Sequence, residues 1–247
     1  MQLGLDGRRA LVTGASSGLG LACAQALAAE GARVAIVARS AERLAAAAAT
    51  IDAPVEVLVG DLSDPSGATD VADAAVGALG GVDILIANAG GPPPGTFATT
   101  ALDLYEPALR LNLLSTVALC HAVVPAMRER GWGRVVAITS ISVREPIAQL
   151  ILSNPARAGL TGFLKTLARE VAADGVTVNS LQPGMHATER LQQLYGDVSA
   201  LTGDIPAGVI GDPADFGKLA AFVCSDAARF LTGTAIPVDG GASHGLQ

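Results

Sequence analysis

A chain of 247 residues, half of them hydrophobic and only 16% charged, has the length and apolar content of one α/β domain and is not a disordered segment. A net charge of −7 with 3% aromatics and no Lys/Arg cluster, and a pI of about 4.9, argue against a nucleic-acid partner. No uninterrupted apolar run reaches the roughly 18 residues a membrane span needs, and Asp6, Arg8 and Arg9 sit where a secretion signal would be apolar, so neither is expected. Cys23, Cys120 and Cys224 are odd in number and form no C-x-x-C. They read as free buried thiols of a cytoplasmic protein. His121, His186 and His244 have no second ligand at metal spacing, so no metal is expected.

The predicted elements alternate. Strand Arg9–Thr13 precedes helix Gly20–Gly31, and strand Arg33–Ala38 precedes helix Ala41–Ile51. Strand Val55–Val59 leads to a helix over Pro65–Leu79, then strand Val82–Ala87 and a long helix from about Leu104 to Arg130. Strand Arg134–Thr139, helix Ser153–Ala173 and strand Val176–Leu181 follow. After a polar segment come a helix over Ala214–Ser225 and a last strand, Thr234–Val238. Near-continuous apolar strands alternating with helices predict a parallel sheet covered on both faces.

Thr13-Gly14-Ala15-Ser16-Ser17-Gly18-Leu19-Gly20 falls where the first strand becomes the first helix. Glycine there permits positive φ and lets a pyrophosphate reach bare N–H groups at a helix N-terminus. The spacing is neither G-x-G-x-x-G nor a P-loop. Gly14–Gly18 also matches G-x-S-x-G, the elbow of a serine hydrolase, with Ser16 as nucleophile and His244 as the late histidine; an elbow on the first strand has no preceding sheet to hold an oxyanion loop. The second strand ends Val37-Ala38-Arg39-Ser40, without the carboxylate that would take a ribose 2′-hydroxyl. Arginine with serine suits a 2′-phosphate, so NADP(H) is expected over NAD(H).

With these motifs and those that follow, the chain resembles the short-chain dehydrogenase/reductase family along nearly its whole length, closest to its 3-oxoacyl-acyl carrier protein reductase-like branch. Thr13–Gly20 is similar to the family's TGxxxGxG. The resemblance implies that Gly14, Ser16, Ser17, Gly18, Leu19 and Gly20 cradle the cofactor, with Asp61-Leu62 holding the adenine and Asn88-Ala89-Gly90 bracing sheet and cofactor. Pro183-Gly184 and Thr188 match PGxxxT, whose Thr reaches the nicotinamide amide. Ile205–Gly211 and Val238-Asp239-Gly240-Gly241 match elements of the same branch. The resemblance implies a single doubly wound Rossmann-type domain over residues 1–247, with a seven-stranded, mostly parallel sheet. It also implies a substrate lid at about 185–212 and a homodimer or homotetramer.

The catalytic tetrad of the family departs here. Asn112 matches its helix asparagine and Ser140 its serine. Where the family has Y-x-x-x-K, this chain has Ser153 and Arg157, in a register fixed by Ala158-Gly159-Leu160 and by Phe163 to Glu170. A serine hydroxyl is a far weaker acid than a tyrosine beside lysine, and arginine cannot relay a proton. Three readings stay open. One is an NADP(H)-dependent oxidoreductase of a small carbonyl or alcohol substrate with a different acid, His186 or Tyr195 being candidates and Ser142, Arg144, Glu145 and Gln149 possible lining groups. In another form of this reading, Ser140 and Arg157 polarise the carbonyl and water supplies the proton. The second reading is a non-redox isomerase or lyase on the same scaffold. Halohydrin dehalogenases offer a precedent for the arginine, but they keep the tyrosine and lose the cofactor glycines. The third is a cofactor-binding sensor or inactive subunit.

Overall fold

The strand–helix alternation folds, in a computed structural model, into one sheet whose residues are described over 2–196 and 198–245. Its strands are β1 (Arg9–Thr13), β2 (Arg33–Ala38), β3 (Val55–Val59), β4 (Ile84–Ala87), β5 (Gly133–Ile138), β6 (Val176–Pro183) and β7 (Ala235–Val238). They lie in the order β3-β2-β1-β4-β5-β6-β7, and every pairing is parallel. The order reverses between β1 and β4, and a crevice opens at such a switch point beyond the carboxyl ends of the strands. The central strands read as unbroken apolar runs because both faces are covered; β5 is buried throughout, whereas Val57 and Val59 on edge strand β3 are exposed.

The helices are α1 (Gly18–Ala29), α2 (Ala41–Ala48), α3 (Pro65–Leu79), α4 (Tyr105–Leu109), α5 (Ser115–Glu129), α6 (Ser153–Val171), α7 (Glu189–Tyr195) and α8 (Pro213–Val223). One core packs α3, α5 and α6 on the sheet through Val71, Leu79, Leu119, Val123, Met127, Leu160 and Leu164. The other packs α1, α2 and α8 on the opposite face through Cys23, Leu27, Leu44, Phe216 and Ala220. Helix α8 lies on α1 so closely that a side chain at Gly217 would run into the Ala22 carbonyl. All three cysteines are buried and free.

Two expectations are corrected in the backbone. The helix expected from about Leu104 to Arg130 is interrupted: a π-helical turn, Arg110–Leu114, separates α4 from α5. That turn carries Asn112, and a widened turn displaces a side chain from the regular helical face. The polar segment after β6, for which no helix was expected, contains α7, capped by Thr188, whose Oγ1 accepts the Leu191 amide at 3.3 Å. By length and composition alone, Leu102–Glu129 could cross a membrane. Here Leu119, Cys120, Val123, Val124 and Met127 place it inside the protein core. At the other end of the sheet, Arg9 binds Asp83 through Nε at 2.8 Å and Nη2 at 2.6 Å, tying β1 to the entry of β4.

Candidate active site

The site gathers at the carboxyl ends of β1, β4, β5 and β6. After β1, Gly14 and Gly18 adopt φ of +58° and +57°, which only glycine takes without strain. A Cβ at Gly14 would lie 2.7 Å from Asn88 Nδ2, and one at Gly20 would strike the Gly14 carbonyl. The turn is thus drawn tight against β4. Asn88 fastens it, donating from Nδ2 to the Gly14 carbonyl at 3.1 Å, while Thr13 Oγ1 donates to the Asn88 carbonyl at 2.8 Å. The first helical amides, Gly18, Leu19 and Gly20, have no acceptor within the helix. Ser17 makes no side-chain cap to them, and no acidic residue stands in the first turn. Bare N–H groups with the positive end of a helix dipole fit a phosphate.

At the end of β2, Arg39 is exposed and makes no hydrogen bond or ion pair with the described residues. The Ser40 hydroxyl caps α2 by accepting the Arg43 amide at 3.2 Å, which leaves its proton to donate. Arg43 itself reaches the glycine turn, donating to Ser17 Oγ at 3.2 Å, and it pairs with Glu189 of α7 at 2.6 Å. The sequence reading missed Arg43. Its signal is position: a helix beginning at Ala41 brings residue 43 round to the turn after β1. Asp61 accepts the Ser63 amide in a local turn, and the Leu62 side chain is buried in the core.

The loop after β4 is held from three sides through its carbonyls. Arg157 donates from Nη2 to Ala89 at 3.4 Å, Asn112 from Nδ2 to Gly90 at 2.9 Å, and Arg190 from Nη2 to Pro92 at 2.9 Å. Asn112 is buried in its π-helical turn, and its Oδ1 has no partner among the described residues. Arg157, one turn into α6, also donates from Nη1 to the Ile138 carbonyl at the end of β5 (2.8 Å) and from Nε to Ser153 Oγ (3.2 Å). Burial, with the nearby charge of Arg190, pulls the Arg157 guanidinium down to about 10. It therefore remains a cation near neutrality. Ser140, just past β5, accepts the Ser142 amide through Oγ at 3.1 Å. Thr188 stands over the glycine turn, its methyl 3.4 Å from where a Cβ on Gly18 would be. Gly184 lies so close to Asp239 that a Cβ there would come within 2.7 Å of the Asp239 Cβ.

Several candidates are placed elsewhere. His186 is buried, not open to a substrate: its ring meets Phe216 edge-on at 5.1 Å, Nδ1 lies 3.3 Å from the Gly184 carbonyl, and Gly211 presses on the ring. Burial lowers its pKa and keeps it neutral. Arg144 binds Gln182 and the Ala235 carbonyl. Glu145 binds the amides of His244 and Gly245 and the His244 ring, so the hydrolase alternative loses its histidine to a tail contact. Tyr195 ends α7 and makes no hydrogen bond with the described residues. Among the described residues, no group of three or more His, Cys, Asp or Glu could hold a metal.

A glycine turn feeding a helix at the switch point of a parallel sheet defines a dinucleotide-binding α/β scaffold. A family model described as Enoyl-(Acyl carrier protein) reductase matches residues 14–243. The chain is 35% identical to the 3-oxoacyl-[acyl-carrier-protein] reductase FabG of Escherichia coli over 240 residues, covering 97% of this chain and 98% of that protein. It is 32% identical to dehydrogenase/reductase SDR family member 4 of Sus scrofa over 249 residues, covering 98% and 89%. The L-sorbose reductase of Gluconobacter frateurii, solved with NADPH and L-sorbose, superposes with a TM-score of 0.92 at 31% identity, with all of both chains covered. The chain belongs to the short-chain dehydrogenase/reductase family, and it is an oxidoreductase of that family in its fold and ancestry.

Proposed function

We propose that this chain is an NADP(H)-dependent oxidoreductase that reduces a carbonyl, or oxidises the corresponding alcohol, with a serine–arginine pair in place of the family's tyrosine and lysine. The observation that carries the reading is the phosphate cradle at α1, with its free amides and no acidic residue in its first turn, flanked by Arg39 and by Arg43, which reaches Ser17. The residues fit the cofactor: Gly14, Ser16, Ser17, Gly18, Leu19 and Gly20 for the pyrophosphate, Arg39 and Arg43 for the 2′-phosphate, Asp61 and Leu62 for the adenine. Asn88, Ala89, Gly90, Pro183, Gly184 and Thr188 complete the nicotinamide end. A bound nicotinamide supplies or accepts the hydride.

The chain's own residues handle the charge on the substrate oxygen. Ser153 Oγ accepts from Arg157, and Ser140 Oγ accepts from the Ser142 amide. Each hydroxyl, its oxygen already engaged as acceptor, has its proton free to donate to the substrate oxygen. The permanent charge of Arg157 beneath them stabilises the developing alkoxide, an effect worth on the order of 100-fold in rate for a well-placed donor. The proton itself comes from water through these hydroxyls, since arginine does not release one at neutral pH. A panel of small carbonyl compounds, followed by loss of NADPH fluorescence, tests the reading. Turnover of at least one compound is expected, with Ser153→Ala lowering kcat at least tenfold. No turnover of any compound favours the alternative of a cofactor-binding protein without redox chemistry. The burial of His186 removes one acid that would count against that alternative.

A further inference from the structure

Two guanidinium groups converge on the loop after β4, and neither has a carboxylate partner among the described residues. Arg157 holds the Ala89 carbonyl from beneath, and Arg190 holds the Pro92 carbonyl from the lid. Gly91, between them, lacks a side chain, and one there would come within 2.9 Å of Arg190 Nη2. Glycine at this position lets the Arg190 guanidinium lie directly on the backbone. Arg157 is buried and Arg190 half-buried. Glu189, next to Arg190 on α7, is committed to Arg43. Two like charges sharing a partly desolvated site repel each other unless an anion is shared between them. Arg157 spends donors from all three of its nitrogens on the protein, whereas Arg190 commits one Nη2 hydrogen to Pro92; its second Nη2 hydrogen, beside Nε–H or Nη1–H, still makes a two-donor edge with no partner among the described residues. A guanidinium edge left open in this way is the geometry that receives a carboxylate in two parallel hydrogen bonds.

We infer that Arg190, backed by the charge of Arg157, receives a carboxylate on the substrate, so that the carbonyl compound this site takes is an oxo acid rather than a neutral ketone or sugar. The inference rests on the reductase reading for the word substrate, but the anion site stands on its own geometry. The cofactor's pyrophosphate is the other anion that the same guanidinium edge would suit, and the experiment separates the two.

Calorimetry on the purified full chain, with and without NADP⁺, would use pyruvate, 4-methyl-2-oxopentanoate and benzoylformate, each beside its methyl ester. At least one acid is expected to bind ten times or more tighter than its ester. Arg190→Gln should remove that preference, while ester binding and NADP⁺ affinity change less than threefold. Arg190→Lys, which keeps the charge, should restore part of it and guards against a variant that fails to fold. Equal binding of acid and ester, or no binding of any acid, overturns the inference. A tenfold loss of NADP⁺ affinity in Arg190→Gln with the acid preference intact also overturns it and assigns Arg190 to the pyrophosphate. Acid binding without turnover would leave the anion site standing and remove the reductase reading instead.

Discussion

Arg157 reaches back one helical turn to give its Nε–H to Ser153 Oγ at 3.2 Å, while its Nη1 binds the carbonyl of Ile138 at the end of β5. The two residues proposed to stand where the family has tyrosine and lysine are therefore bonded to each other, and Arg157 is bonded to the end of the strand that Ser140 follows. A helix places residues four apart on one face, and Ser153 is the first residue of α6.

Replacing Arg157 separates its charge from its shape. Arg157→Met fills similar space and removes the buried cation but leaves the Ile138 and Ala89 carbonyls without its donors, so it should cost about 1–3 kcal/mol of stability. Turnover should fall roughly 100-fold with the loss of the positive charge. Thermal unfolding and steady-state kinetics of the same preparation check both parts. A large loss of stability with kcat unchanged would assign Arg157 to scaffolding alone.

The cofactor preference should rest on two arginines. Arg39→Asp should turn the preference toward NADH, and Arg43→Ala should weaken NADPH at least fivefold while changing NADH little. Arg43 is paired with Glu189, so Glu189→Gln is expected to tighten NADPH by releasing that guanidinium. Affinities of the two nucleotides measured for each variant decide this, and an unchanged ratio in Arg39→Asp refutes its assignment.

The glycine turn should tolerate no side chain. Gly18→Val forces a β-branched residue into positive φ beside Thr188 and should abolish nucleotide binding. Gly20→Ala meets the Gly14 carbonyl and should cost about 1–3 kcal/mol, as overpacking does. Retained NADPH binding in Gly18→Val, read by fluorescence titration, would contradict the cradle.

Acid should unfold the protein partly through Asp83. Burial raises its pKa, but hydrogen bonds from the Arg9 side chain and amide, with the charges of Arg9 and Arg130, outweigh that and hold the carboxyl below its ordinary value. A depressed folded value stabilises the protein above the unfolded value of about 3.9, and that stabilisation is lost as pH falls through the folded value. Arg9→Gln should therefore cost about 2 kcal/mol at neutral pH, and the difference from the parent should vanish once Asp83 is protonated. Urea unfolding across the acid range checks the sign.

Much of this was legible in the residues. The strands and the glycine turn declare themselves because local geometry dictates them: apolar runs need two covered faces, and a positive φ needs glycine. Ser140, Ser153, Arg157 and Asn112 were picked out by the resemblance to the family's tetrad, in the register its flanking residues set, and the structure brings Ser153 and Arg157 into contact. What escaped depends on tertiary placement. The π-helical turn at Arg110–Leu114 leaves no trace in an amphipathic pattern read at ordinary helical spacing. His186 was attractive for its intrinsic pKa, but only the packing of Phe216 and Gly211 shows that it is enclosed. Arg190 lies in a polar segment without periodicity, and nothing local says that its guanidinium folds over Gly91.

The most direct test is a calorimetric titration of the purified, nucleotide-free protein with NADPH and, separately, with NADH. One NADPH per chain, bound at least tenfold tighter than NADH, is the expected result. Failure of both nucleotides to bind would contradict the account at its centre, leaving the turn after β1 as an inherited scaffold feature.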